Sequence, residues 1–135
     1  MIKVLGIEHI GIALNKNEQL SDLFKNIFHL EYIGSEIVED QGVNTDIFNV
    51  SNTKIELLES ISDDSPINKY ISKYGQGMHH IALIVDDIQS ALNYLNENDV
   101  QLIDSSPRIG AEGLQVAFIH PKSTGGVLVE LCEKK

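Results

Sequence analysis

The chain has 135 residues, 42% of them hydrophobic, which suits one compact domain and is too apolar for a disordered polymer. Its formal net charge is −10 and no cluster of Lys or Arg is present, so we expect no nucleic-acid partner. No apolar run approaches the roughly 18 residues that a membrane span needs. The single Cys132 cannot form an intramolecular disulfide and fits a reducing cytoplasm, so we expect a soluble cytoplasmic protein.

The first half of the chain predicts a strand, a helix and three further strands. The N-terminal residues 1–14 alternate like a strand and lack the small-residue cleavage site of a signal peptide, so we interpret them as mature sequence. Apolar side chains at helical spacing then predict a helix over residues 17–29. Extended segments follow at residues 31–38, 43–50 and 54–59.

A linker and a second half of the same pattern follow. In the linker, Ser65 is a predicted N-cap with Pro66 in the first turn, opening a short helix through Tyr74 that Gly75 and Gly77 end. The second half predicts a strand from His80, a helix over residues 87–96 capped by Asp86 or Asp87, and extended segments at 100–104, 115–119 and 127–132.

Short sequence matches relate the two halves. Residues 9–14 (HIGIAL) resemble residues 80–85 (HIALIV), and residues 55–59 (IELLE) resemble residues 129–133 (VELCE), in the same order and at nearly the same offset. Each half therefore reads β-α-β-β-β. We predict an α+β fold in one domain, residues 1–135, with module 1 at about 4–60, a linker at about 61–77 and module 2 at about 78–133.

Two His and two Glu occupy matching positions in this repeat. A Glu within an apolar strand is costly to bury unless it is paired or bound to a cation, and this applies to Glu56 and to Glu130. With His9 and His80, they offer two nitrogen and two oxygen donors, which suit one Zn²⁺, Co²⁺, Ni²⁺, Fe²⁺ or Mn²⁺ ion. The neighbouring His79 points to the opposite face of its strand and is not a predicted ligand.

These segments resemble the vicinal oxygen chelate superfamily, whose members include glyoxalase I and methylmalonyl-CoA epimerases. The resemblance covers essentially the whole chain and implies two βαβββ modules that form an open, cup-like β-sheet around a metal. Within the superfamily, the chain most resembles the epimerases. The segments that carry the resemblance are residues 8–13 (EHIGIA), 52–59 (NTKIELLE), 64–67 (DSPI), 77–82 (GMHHIA), 107–111 (PRIGA) and 120–131 (HPKSTGGVLVEL).

The resemblance also implies roles for individual residues. The metal ligands of the family carry over onto His9, His80 and Glu130. The fourth ligand position, which is Gln in some epimerases, is occupied by Glu56, as in glyoxalase I-like sequences. The implied reaction is epimerisation of methylmalonyl-CoA by removal of the proton at C2 through an enolate.

Inversion at C2 needs two proton-transfer groups on opposite sides of the carbon. We expect Glu130 to be one of them. The second is open, because Thr45, a poor base, stands where some epimerases have Glu. The candidates are Asp46, which strand alternation should turn to the other face, Glu56 and His120.

The acyl-CoA substrate needs cationic contacts, for which Lys122 and Arg108, both in turn-like segments, are the candidates. The family and its long edge strands favour a homodimer. Two alternative functions are open: glyoxalase I, which uses a related metal-dependent proton transfer, and a metal-free module that binds a small ligand.

Overall fold

The computed structural model describes residues 1–134, whose elements follow the predicted order. They are β1 Val4–Leu14, α1 Glu18–Asp22, β2 Glu31–Val38, β3 Val43–Val50, β4 Thr53–Ser60, α2 Pro66–Tyr74, β5 Gly77–Val85, α3 Ile88–Glu97, β6 Arg108–Ile109, β7 Gln115–Ile119 and β8 Val129–Glu133. A π-helical turn, Leu23–Ile27, continues α1. The predicted βαβββ pattern of each half is confirmed. No helix in this part of the chain is long and apolar enough to cross a bilayer.

The chain divides into two compact units. The first unit contains residues 9–79, and the second contains residues 1–8 with those from His80 onward. In the first unit the strands follow the order β2-β3-β4-β1, and in the second the order is β5-β8-β7-β6. Each unit has one parallel pair, β1 with β4 or β5 with β8, and its other pairs are antiparallel. The helix and strands between the parallel partners supply the long connection that such a pair requires.

The sheet of the first unit is covered differently on its two faces. On one face Phe48 of β3 packs against Phe24 and Tyr32, with both ring centroids 5.3 Å away. On the other face Leu58 of β4 belongs to an apolar cluster with Ile67 of α2. The register pairs Thr45 with Leu58 and Phe48 with Ile55, so these two clusters lie on opposite faces. The face that carries Leu58 is also the face of Glu56, two residues earlier.

Both predicted helix caps are confirmed. The hydroxyl oxygen of Ser65 accepts a hydrogen bond from the N–H of Ile67, which satisfies a donor in the first turn of α2. The carboxylate of Asp87 accepts a hydrogen bond from the N–H of Ser90 at 3.0 Å and caps α3 in the same way. That hydrogen bond lowers the pKa of Asp87, because it stabilises the charged form.

The predicted strand at residues 100–104 is wrong. Only an isolated bridge joins Leu102 to Ile119, and the edge strand β6 lies later, at Arg108–Ile109. The reason is that a side chain takes the place of a backbone carbonyl in the hydrogen bonding to β7. The carboxylate of Asp104 accepts the N–H of Phe118 at 2.9 Å. The carbonyl of Phe118 instead accepts the N–H groups of Ile103 and Asp104. The segment is thus held against β7 as a loop.

Candidate metal and substrate site

His9 and Glu56 form a buried pair in the first unit. Strand β1 runs parallel to β4 with Gly11 opposite Glu56, so His9 lies two residues before the partner of Glu56 and on the same face. The Nδ1 atom of His9 is 3.4 Å from Oε2 of Glu56, and each side chain is 5% exposed.

His80 and Glu130 form the corresponding pair in the second unit. Strand β5 runs parallel to β8 with Ala82 opposite Glu130, so His80 again lies two residues before the partner of the carboxylate. The Nε2 atom of His80 is 3.2 Å from Oε1 of Glu130, and each side chain is 6% exposed.

The two pairs are equivalent in strand register, although His9 approaches its Glu through Nδ1 and His80 through Nε2. The repeat seen in the sequence is therefore also a repeat of strand pairing. In both units a small residue, Gly11 or Ala82, stands opposite the Glu. Donors bound at about 2.1 Å to one ion lie about 3.0–3.4 Å apart. The nitrogen–oxygen distance within each pair fits that spacing, and these side chains are among the groups able to hold a metal ion.

Thr45, which stands where some epimerases have Glu, and Asp46, a candidate for the second proton-transfer group, lie on opposite faces of β3. Thr45 is opposite Leu58, so it shares the face of Glu56, and it is only 1% exposed. Asp46 is opposite Leu57 and therefore lies on the other face, where the hydroxyl of Ser35 donates a hydrogen bond to its carboxylate. The register thus separates Asp46 from the face of the candidate site.

His120 and Lys122 lie together just after β7. The Nδ1 atom of His120 accepts the N–H of Lys122 at 3.0 Å and caps the short 3-10 turn Pro121–Ser123. This contact gives His120 a local structural role and occupies one of its two ring nitrogens. The side chain of Lys122 is exposed.

Arg108 lies close to the pair of the second unit through the ring of Phe118. The register places Phe118 opposite Glu130 and Arg108 opposite Val116, so both side chains belong to the Glu130 face. The Arg108 guanidinium lies 5.6 Å from the centroid of the Phe118 ring. The ring of His80 meets the same Phe118 ring edge-on at 5.8 Å.

Phe118 and Lys54 are two residues of these faces that the sequence did not single out. Lys54 stands opposite His9 and two residues before Glu56, so strand alternation alone could have placed it on the Glu56 face. Phe118 could not be found in this way, because its position depends on the register between β7 and β8.

His79 has different surroundings from His80. Its ring packs edge-on against Tyr70 of α2, with centroids 4.6 Å apart. The hydroxyl of Tyr70 in turn donates to the carbonyl of Met78. His79 is therefore an aromatic packing residue of the first unit.

Comparison with known proteins gives a consistent result over nearly the whole chain. The Bacillus subtilis (strain 168) protein YqjC is 43% identical over 96% of this chain and 92% of its own length. The mitochondrial methylmalonyl-CoA epimerase of Dictyostelium discoideum is also 43% identical, over 95% of this chain and 78% of its own. A solved methylmalonyl-CoA epimerase in complex with methylmalonyl-CoA and NH4+ has a TM-score of 0.91 at 30% identity, covering 98% of this chain and 96% of that one.

These similarities confirm the predicted fold class, two βαβββ modules of the glyoxalase type. Residues 8–118 match the Glyoxalase/Bleomycin resistance protein/Dioxygenase superfamily. The chain therefore belongs to this superfamily, and its relatives within it include methylmalonyl-CoA epimerases.

Proposed function

We propose that this chain is a methylmalonyl-CoA epimerase that interconverts the (2R) and (2S) forms of its substrate. The observation that carries the proposal is the pair of equivalent, buried His–Glu groups, one in each unit of a chain 43% identical to an epimerase. A solved epimerase of the same fold holds methylmalonyl-CoA, which supports an acyl-CoA as the substrate class.

We propose that His9, Glu56, His80 and Glu130 together hold one divalent metal ion, either Co²⁺, Zn²⁺, Ni²⁺, Mn²⁺ or Fe²⁺. The donor set supports this, because two imidazole nitrogens and two carboxylate oxygens are ligands that such ions accept. The spacing within each pair supports it as well. When bound, the ion would supply Lewis acidity toward the thioester and carboxylate oxygens of the substrate.

Glu130 is the proposed group for proton transfer at C2 on one side of the substrate. Its carboxylate is buried, so few water molecules compete with a substrate proton for its oxygens. For the other side we propose Glu56, the equivalent carboxylate of the other module. Asp46 lies on the opposite face of β3, and the Nδ1 atom of His120 is engaged by the backbone, so both are weaker candidates.

Lys122 and Arg108 are the proposed cationic contacts of the acyl-CoA. The exposed position of Lys122 in its turn leaves its ammonium group available to a phosphate. Arg108 combines a planar guanidinium with a position on the Glu130 face. Positive groups matter here, because the protein carries a net charge of −10 and the substrate is anionic. We further propose a cytoplasmic location and a homodimer.

Glyoxalase I is the alternative that one observation favours. Glu56 supplies a carboxylate at the fourth position of the donor set, as in glyoxalase I-like sequences, where some epimerases have Gln. Both reactions remove a proton beside a carbonyl group. They differ in the substrate, which is a hemithioacetal of glutathione and methylglyoxal for glyoxalase I.

The deciding experiment follows the C2 proton of (2S)-methylmalonyl-CoA in deuterated water with metal-loaded protein. We expect exchange of that proton and formation of the (2R) form, measured by proton NMR. Glu130→Gln keeps the shape of the side chain and removes the base, so exchange should fall at least about 100-fold.

His79→Ala is the matched control, because His79 packs against Tyr70 and is not in the donor set. Its exchange rate should stay near that of the unmodified protein. Turnover of the hemithioacetal without any exchange of methylmalonyl-CoA would replace the epimerase proposal with the glyoxalase alternative.

A further inference from the structure

Among residues 1–134, Arg108 has a buried donor atom without a hydrogen-bond acceptor. Its Nε atom is buried and has no hydrogen-bond partner among residues 1–134, although the side chain as a whole is 38% exposed. Most buried polar groups in folded proteins are hydrogen-bonded, so an orphaned guanidinium N–H calls for an explanation. A bound anion is the simplest one, because guanidinium groups bind anions through several N–H groups at once.

The carboxylate of Asp104 does not satisfy this donor. Oδ2 of Asp104 lies 3.8 Å from Nη2 of Arg108, which is too far for a hydrogen bond. That same oxygen already accepts the N–H of Phe118 at 2.9 Å. Asp104 therefore balances part of the charge of Arg108 from one side and leaves the hydrogen-bonding capacity of Nε unused.

Phe118 orients the guanidinium within the Glu130 face. The cation lies 5.6 Å from the ring centroid, a distance at which a ring face attracts an arginine. The same ring also contacts the ring of His80, and the strand partner of Phe118 is Glu130. One aromatic side chain thus connects Arg108 to the group proposed to transfer the C2 proton.

We infer that Arg108 binds the free carboxylate of the acyl group and thereby selects acyl-CoA substrates that carry a carboxylate on C2. The inference rests on the proposed function and narrows the role of Arg108 within it. The carboxylate of methylmalonyl-CoA is bonded directly to C2, whereas the CoA phosphates lie at the far end of the pantetheine arm. An arginine on the Glu130 face is placed to bind the acyl carboxylate, and the exposed Lys122 is placed to bind a CoA phosphate.

The test compares two ligands that share the whole CoA moiety. Malonyl-CoA carries the acyl carboxylate and propionyl-CoA lacks it, and the affinity of each is measured by calorimetry on metal-loaded protein. Arg108→Gln should weaken malonyl-CoA binding about 10- to 100-fold, as expected for loss of a charge-assisted hydrogen bond, and propionyl-CoA binding less than about twofold. The malonyl-CoA affinity of Arg108→Lys should lie between those of the unmodified protein and of Arg108→Gln. An ammonium group keeps the charge but cannot form the planar pair of hydrogen bonds that a guanidinium forms.

Lys122→Gln is the contrasting variant and should weaken the binding of malonyl-CoA and of propionyl-CoA by the same factor. Equal weakening of both ligands in Arg108→Gln would assign Arg108 to the CoA moiety and overturn the inference. A lower melting temperature with unchanged malonyl-CoA affinity would also overturn it, because Arg108 would then act only through its contact with Asp104. An unmodified protein that neither binds malonyl-CoA nor exchanges methylmalonyl-CoA would refute the proposed function itself, and the inference with it.

Discussion

Buried polar side chains in the strands are the feature that most constrains the chemistry of this protein. His9, Glu56, His80 and Glu130 are each no more than 8% exposed, on faces that also carry apolar residues. An unpaired carboxylate in such surroundings would be expensive, and the short His–Glu distances reduce that cost. Removing one partner of a buried pair typically costs about 3–5 kcal/mol, so the members of each pair depend on one another.

Metal content is the property that distinguishes these residues from an ordinary buried ion pair. After chelation and reloading with Co²⁺, His80→Ala and Glu130→Ala should each lower the bound metal at least about tenfold, because each removes a donor. His79→Ala should retain the metal content of the unmodified protein. Elemental analysis by mass spectrometry measures all three.

Unchanged metal content in His80→Ala and Glu130→Ala would contradict the proposed ligand set. Unmodified protein that takes up no divalent metal under the same conditions would favour the metal-free binding module instead. Circular dichroism on the same samples would show whether a variant has lost metal because it has lost its fold.

Helix α2 is the element whose formation depends most clearly on a single side chain. It has nine residues, and an isolated helix of that length is unstable in water. Its stability comes from the packing of Ile67 into the first unit and from the cap at Ser65, whose hydroxyl also donates to the carbonyl of Gln41. The cap thus joins the start of the helix to the turn before β3.

Replacing this cap should lower stability by a predictable amount. Ser65→Ala removes the acceptor for the N–H of Ile67 and should lower the free energy of unfolding by about 1 kcal/mol or somewhat more, since the site is buried. Ser72→Ala, at an exposed position of the same helix, should change it by less than about 0.5 kcal/mol. Urea denaturation measures both, and equal values for the two variants would contradict the role of the cap.

Net charge sets the electrostatic problem of the whole molecule. A protein of net charge −10 repels an anionic acyl-CoA at long range, so binding depends on a few local positive groups. Lys122, Arg108 and the proposed metal ion are such groups. Their effect is short-ranged at physiological salt, where the Debye length is about 8 Å.

We expect the whole molecule to self-associate through an exposed strand edge. Strand β2 forms the edge of the first unit and exposes Tyr32, Ile33 and Ile37 to 39%, 44% and 59%. An exposed edge with apolar side chains favours pairing, so we expect sedimentation at twice the monomer mass. Ile37→Lys should shift the distribution toward the monomer while leaving the melting temperature nearly unchanged. A monomer at every concentration of the unmodified protein would refute the proposed dimer.

The amino-acid sequence by itself determined the order and type of the elements. Local periodicity was sufficient for strands such as residues 31–38 and 43–50, whose predicted bounds match β2 and β3. Capping chemistry located the start of α2 at Ser65 and that of α3 at Asp86 or Asp87, of which the structure uses Asp87, because a cap acts within three residues of the chain. The internal repeat identified His9, Glu56, His80 and Glu130, since each recurs at the same point of its module.

The tertiary structure decided which side chains meet. Alternation assigns the side chains of one strand to two faces, but it cannot say which residue of the next strand lies opposite, because the register depends on distant hydrogen bonds. Only the pairings of Gly11 with Glu56 and of Ala82 with Glu130 bring each His next to its carboxylate. Residues 100–104 were wrongly predicted as a strand, because the carboxylate of Asp104 accepts the N–H of Phe118 in place of a strand partner. The role of Phe118 was missed, because only the register between β7 and β8 brings its ring to Arg108 and His80.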